Sequence, residues 1–326
     1  MITRILITGG SGFIGTYLVE ELLKRKFSIL NVDITPPIEY SHIKFWKQLD
    51  ILSKKELVTT VVDFAPEYLV HLAARTDTEP ENTLEDYKTN TEGTANILSA
   101  IKSCPSIKKV IITSTQFVHQ YNGVPKNDED FAPHTAYGQS KVISEKLTRE
   151  SDPSCCWTIV RPTNVWGPRH PRYAKEFWYV LKKGKYLHPG GKAVIRSYGY
   201  VGNVVDQILK ILNEDPARVH QQVFYVGDEP INLYDWVNGF SLALTCKNIR
   251  IVPRFVVKSA AVVGDILRTA NIKFPITLSR YKSMTQSNSA PMEKTFQVLG
   301  APKYSLQQGI EETVEWLKKQ DKFWEN

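Results

Sequence analysis

The chain of 326 residues has little of what marks a secreted, metal-bound or membrane-spanning protein. It has only four cysteines, Cys104, Cys155, Cys156 and Cys246, with no C-x-x-C pair and no histidines at zinc spacing. A structural zinc site is therefore not expected, and reduced thiols suit the cytoplasm. Low-complexity tracts and internal repeats are absent, and the composition is that of an ordinary globular protein. No apolar run is long enough to span a bilayer. The longest, 255–267, contains Lys258 and Asp265 and falls short of the ~20 residues needed. It reads as a helix packed over the substrate region, with a peripheral membrane contact left open. The first strand starts almost at Met1, so no signal peptide is expected. An excess of Lys and Arg gives a formal net charge of +7. That balance suits an anionic substrate such as a nucleotide diphosphate, while charges read as scattered predict neither a nucleic-acid nor a membrane patch.

What is present is organised around Ile5-Leu6-Ile7-Thr8-Gly9-Gly10-Ser11-Gly12-Phe13-Ile14-Gly15. An apolar strand stops at a glycine cluster, and a helix begins with Phe13, Ile14, Leu18, Leu22 and Leu23 on one side. Strand, tight turn and helix form the setting that a dinucleotide-binding fingerprint requires, whereas the glycine spacing alone also fits an ordinary loop. Gly9 and Gly10 can take a positive φ, Gly12 lets the backbone approach a pyrophosphate, and Gly15 lets helix and sheet close. The helix N-terminus offers N–H groups to phosphate. The next strand ends in Asp33, about 20 residues on, where a carboxylate accepts bonds from an adenine-side ribose and repels a 2′-phosphate. NAD is favoured over NADP on that ground; a helix cap or turn is the alternative use of Asp33.

Strands and helices alternate through the first half, which predicts a Rossmann-type, doubly wound parallel α/β sheet over residues 1–166. Lys47 to Ile51 closes a third strand with Asp50 near the adenine, and Tyr68 to Leu72 forms a strand ending in Ala73-Ala74-Arg75. Small residues there admit a cofactor or serve simple packing. A helical stretch at 80–103 directs Asn90 toward the centre, and a strand ends in the hydroxyls of Thr113-Ser114-Thr115. A helix then opens on Tyr137-Gly138-Gln139-Ser140-Lys141. Tyrosine and lysine at i and i+4 share one face. For the phenol to act as a base near neutrality its pKa of ~10 must fall by roughly three units, which a lysine ammonium and a cationic nicotinamide ring can supply. Alone, such a pair is often a surface pair; the glycine turn and the strand-end hydroxyls give it weight. From about Gly167 the alternation loosens, which places a smaller, mixed substrate-binding region at 167–326 with one return strand near 223–226. The last helix carries a Ser305 cap and the stripe Leu306, Ile310, Val314 and Leu317.

These motifs, together with His71-Leu72-Ala73-Ala74, Asn90-Thr91-Glu92-Gly93-Thr94 and Arg161-Pro162-Thr163-Asn164-Val165-Trp166-Gly167-Pro168, span nearly the whole chain. In them the sequence resembles the extended short-chain dehydrogenases/reductases of the NAD-dependent epimerase/dehydratase family, chiefly nucleotide-sugar enzymes such as UDP-galactose 4-epimerase. The resemblance implies an NAD cofactor held by Gly9, Gly12, Phe13, Ile14, Gly15, Asp33, Asp50, Ile51, Leu72, Ala73, Ala74, Asn90, Tyr137 and Lys141. It implies Thr115, rather than Ser114, as the catalytic hydroxyl, with Tyr137 as acid/base and Lys141 as its partner. Asn164 and Arg196 fall where the family binds the substrate diphosphate, although Arg196 also suits a surface ion pair. A homodimer through the two long helices, no nucleic acid, no metal and no transmembrane segment complete the expectation.

Departures from the family pattern narrow it. Gln116-Phe117 stands where 4,6-dehydratases carry an Asp-Glu pair, and neither residue can transfer the proton that dehydration needs. His119 replaces a tyrosine, as an altered wall or an added acid/base. The expectation is an NAD-dependent nucleotide-sugar epimerase working through a transient 4-keto sugar. A reductase or dehydrogenase of a keto nucleotide sugar is the alternative, ahead of a 3β-hydroxysteroid-dehydrogenase-like enzyme or a non-catalytic NAD sensor.

Overall fold

A computed structural model describes residues 2–79, 81–119, 125–173, 177–269, 272, 274 and 276–320. The alternation legible in the sequence becomes β1 (Arg4–Thr8), α1 (Phe13–Lys24), β2 (Ser28–Asp33), β3 (Trp46–Gln48), α2 (Lys54–Phe64), β4 (Tyr68–His71), α3 (Lys88–Lys102), β5 (Lys109–Thr113), α4 (Ala136–Ser151) and β6 (Cys156–Pro162). With the strand Gln222–Val226 they form a seven-stranded sheet in the order Gln222–Val226, β6, β5, β4, β1, β2, β3. Every pairing in it is parallel. This is the Rossmann-type α/β fold expected.

Side chains that alternate along a strand feed opposite faces. Ile5, Ile7, Val70, Ile111 and Val160 meet Leu18, Val19 and Leu22 of α1 on one face. Leu6, Leu69, Val110, Ile112 and Ile159 meet Leu57 and Val61 of α2 and Ile97 and Ile101 of α3 on the other. Leu18 and Leu22 are fully buried, each contributing about 1.5–3 kcal/mol by leaving water. Residues beyond 167 join the core on each face of the sheet and supply most of a third. Helix Val201–Asn213 packs Val204, Ile208 and Ile211 under the sheet. Trp166, Trp178, Tyr198, Trp236 and Phe240 build a separate aromatic core. Ile310, Val314 and Leu317 of the last helix join it, and Ser305 accepts from the Gln308 amide at the start of that helix.

The stretch read as one helix from 80 starts later. Thr83 and Asp86 form a capping box that opens a single turn, Leu84–Tyr87, before α3. Tyr87, at φ −110° and ψ 30°, interrupts the path between them. Pro80 lies outside the described residues. Among the described residues no helix is long and apolar enough to cross a membrane.

Candidate active site

The strand order reverses between β1 and β4, and in open α/β sheets ligands bind at the carboxyl ends beside such a reversal. Gly9, at φ +75°, makes the turn there. A Cβ on Gly9 would stand 2.5 Å from Ala73 N, and one on Gly15 would stand 2.3 Å from Gly9 O. Only glycines let the turn, α1 and the end of β4 come this close. Gly10 has no positive φ; it is held by proximity to the Asn31 side chain. Gly12 caps α1 without any side-chain hydrogen bond, leaving the first helical amides for an anion. Asp33, at the end of β2, accepts from Ser11 N at 3.0 Å and from Thr35 N at 3.0 Å, and thereby braces the glycine turn. Phe13, Ile14, Leu72, Ala73 and Ala74 are half-buried around that turn.

Asp50 is exposed and accepts from Leu52 N, while Ile51 is buried against Gly93. Asn90 is fully buried; it accepts from Arg75 N at 2.9 Å and donates to Arg75 O and Ser140 Oγ. Its amide thus ties α3 to the loop after β4 and to α4.

The second half of the site hangs from β5. Thr115 accepts from Phe117 N and opens a short turn. Thr135 caps α4 by accepting from Gly138 N at 3.0 Å, and a Cβ on Gly138 would lie 2.5 Å from Phe117 O. That close approach brings Tyr137 to Thr115, whose hydroxyl is near enough to favour the ionised phenol. Burial pushes the Tyr137 phenol up to about 12, opposed by the Thr115 hydroxyl. One turn on, Lys141 donates to Thr113 O at 2.9 Å; burial lowers its ammonium to about 8, against the pull of Glu145. The neighbouring Ser114 hydroxyl is engaged elsewhere, donating to Glu145 Oε1 at 2.5 Å.

Glu145 and Arg161 are the residues that sequence reading left without a role. Both side chains are fully buried, joined by two bonds of 2.8 Å from Arg161 Nε and Nη2. Glu145 stands four residues after Lys141, so helical spacing alone placed it on the same face. Arg161 also settles His119. A guanidinium only donates, so His119 Nε2 accepts from Arg161 Nη1 at 3.0 Å, and Nδ1 carries the proton toward Asp130 O. Burial and then Arg161 lower its pKa. His119 is a neutral wall of this network.

Asn164, just past β6, donates to Ser197 O at 3.1 Å. Arg196 is 6 % exposed and donates to Ser283 O and Gln286 O. The two are joined through Ser197. Gln116 is buried, and neither of its amide atoms, nor Thr113 Oγ1, has a partner among the described residues. Buried polar atoms need one. The uncapped helix start, the close turn and these atoms fit a dinucleotide and a hydroxyl-rich substrate.

Known proteins share this fold. The family model described as the NAD dependent epimerase/dehydratase family matches residues 5–227. An N-acetyl-alpha-D-glucosaminyl-diphospho-ditrans,octacis-undecaprenol 4-epimerase of Escherichia coli O157:H7 is 26% identical over 324 residues, 96% of this chain and 95% of that one. A UDP-glucose 4-epimerase of Thermotoga maritima, solved with UDP-glucose, superposes with a TM-score of 0.72 at 23% identity, covering 97% of this chain and 99% of that one. A UDP-N-acetylglucosamine 4-epimerase of Bacillus cereus gives a TM-score of 0.74 at 17% identity, covering 98% of each. With two thirds of its length under the family model and the glycine turn seated at the reversal of a seven-stranded parallel sheet, the chain belongs to the NAD-dependent epimerase/dehydratase family of enzymes.

Proposed function

We propose that this enzyme inverts one carbon of a nucleotide sugar through a transient 4-keto sugar. The observation that carries the reading is the buried Tyr137 phenol beside the Thr115 hydroxyl, with Lys141 one helical turn away. Bound NAD supplies a hydride acceptor that can return the hydride. Tyr137 takes the proton of the sugar hydroxyl as its C–H is oxidised, and gives it back when the ketone is reduced from its other face. Thr115 hydrogen-bonds the same oxygen. Lys141, with one donor on Thr113 and an ammonium that carries three, holds ribose hydroxyls and favours the ionised phenol. Residues 1–166 carry the dinucleotide, and Asn164 and Arg196, from the two sides of the 166/167 boundary, carry the substrate diphosphate. Gln116, in place of a carboxylic acid, argues against dehydration.

A second reading concerns what lies beyond the diphosphate. The Escherichia coli relative matched along nearly its whole length is named for a sugar on an undecaprenyl diphosphate. A polyprenyl diphosphate offers Arg196 the same pyrophosphoryl group as a nucleotide does.

The test is direct. Protein denatured as purified should release NAD in stoichiometric amount, identified by chromatography and mass. UDP-, GDP-, CDP- and dTDP-sugars and a polyprenyl-diphosphate sugar are then screened for a C4 epimer formed without net NADH. An empty site or bound NADPH, with cofactor consumed at each turnover, would sink the epimerase reading in favour of a reductase. Asp33 gives a sharper check. Loss of a hydrogen bond to a charged group costs about 1.5–3 kcal/mol, so Asp33→Ser should weaken NAD binding by roughly ten- to a hundredfold. Calorimetric titration of cofactor-stripped protein reads it; unchanged affinity refutes the ribose contact.

A further inference from the structure

Helix Arg254–Thr269 is apolar on two sides. Val257, Ala261 and Gly264 face inward. On the opposite side Phe255 is 70% exposed and Ile266 is 63% exposed, with Val262 and Val263 also in solvent. At ~100° per residue, Phe255, Val262 and Ile266 fall within a sector of about 40°, with Val263 beside it. Ile251 before the helix and Ile272 after it are exposed as well. Single exposed apolar residues are ordinary; a contiguous set along one helix face marks a binding surface.

The charges follow the same segment. Between Asp235 and Glu293 the chain has eight Lys and Arg and one acidic residue, Asp265. That excess of seven equals the formal net charge of the whole chain, +7, so the remainder is neutral. The basic excess is thus concentrated rather than scattered, and the composition read without the fold hid it. Arg250, just before the helix, and Lys258, about 60° round it from Phe255, are exposed on the side of the apolar face. Asp265 is turned to Leu278 N, where its carboxylate accepts at 3.3 Å.

We propose that this helix docks the protein on an anionic lipid bilayer surface, with Phe255, Val262, Val263 and Ile266 in the headgroup–acyl boundary and the surrounding Lys and Arg on lipid phosphates. A second copy of the chain fits poorly, because a two-fold contact would set this basic segment against itself. The docked face lies next to the substrate group. Helix Leu278–Thr285 packs on Arg254–Thr269, and the carbonyls of Ser283 and Gln286 at its end hold Arg196. Docking in this orientation brings Arg196 within one helix of the lipid. The surface stands independently of the epimerase reading, since no catalytic group belongs to it.

The test is flotation of the full-length protein, with its cofactor, on phosphatidylcholine vesicles with and without phosphatidylglycerol. The protein should float with the anionic vesicles and lose at least about tenfold of that binding in high salt. A similar loss is expected for Phe255→Asp/Ile266→Asp and for Arg250→Glu/Lys258→Glu. All four residues are exposed, so melting temperature, NAD content and turnover of any soluble substrate should stay unchanged. Wild-type protein that ignores anionic vesicles, or binds neutral ones equally, overturns the proposal. So does a wild-type dimer that Phe255→Asp/Ile266→Asp splits without any flotation, which would assign the face to a second copy. Flotation is read without turnover, so failure of the epimerase chemistry leaves this result standing, and an active enzyme that does not float refutes the docking alone.

Discussion

Tyr137→Phe should lower kcat by about a thousandfold, within the roughly 10²–10⁴ that a positioned acid/base contributes, while the protein keeps its NAD. The substitution removes one oxygen and leaves the ring that packs against Tyr87 and Phe117. Its stability cost is the lost polar contact with Thr115, at most about 0.5–1.5 kcal/mol. A melting curve close to wild type beside a collapsed kcat is the expected pair of results, and retained turnover would remove Tyr137 from the chemistry. The pH dependence follows from its neighbour. Burial lowers Lys141 to about 8, so the ammonium that favours the phenolate is lost as pH rises through about 8, and kcat/KM should fall there. Stability should not fall with it. The folded pKa lies below the unfolded value of ~10.4, so between the two the unfolded chain binds more protons and the Lys141 contribution to stability rises with pH. Activity that declines above pH 8 without a parallel drop in Tm is the signature. A flat profile across that window would refute the role of the lysine.

Glu145→Ala should destabilise the protein by about 3–5 kcal/mol, because it leaves the Arg161 guanidinium buried without its counter-ion. At roughly 2 °C or more per kcal/mol for a chain of this size, that is a fall in Tm of about 6–10 °C or beyond. The same change releases Ser114 from Glu145 Oε1 and loosens the turn that carries Thr115, so kcat should fall as well. Glu145→Leu combined with Arg161→Met distinguishes the mechanism. Replacing a whole buried pair by apolar residues is often neutral, and the double variant should recover most of the stability lost in Glu145→Ala. Urea denaturation measures both. A single variant within about 1 kcal/mol of wild type would show the pair to be dispensable.

How far the sequence carried the argument depends on how local each feature is. The glycine turn, the acid ending the second strand and the Tyr-x-x-x-Lys pair lie within a few residues of the element that holds them, so spacing alone located them. A period of two and a period of 3.6 likewise separated strands from helices, and the parallel sheet followed from their alternation. Residues far apart in sequence were another matter. That Ser114 turns to Glu145 while Thr115 meets Tyr137 depends on how α4 closes on β5. That His119 is locked neutral depends on Arg161, 42 positions away in another strand. The sequence placed a return strand near 223–226, but only its pairing with β6 shows that the helix before it, Val201–Asn213, packs under the sheet. Sequence by itself determined the fold class, the dinucleotide turn and the candidate acid/base, because these are written in short-range periodicity. The tertiary structure decided which hydroxyl faces the phenol, which charges are buried together, and which apolar face of the helix Arg254–Thr269 is left exposed, because those outcomes rest on contacts between elements whose distance along the chain carries no information about their distance in space.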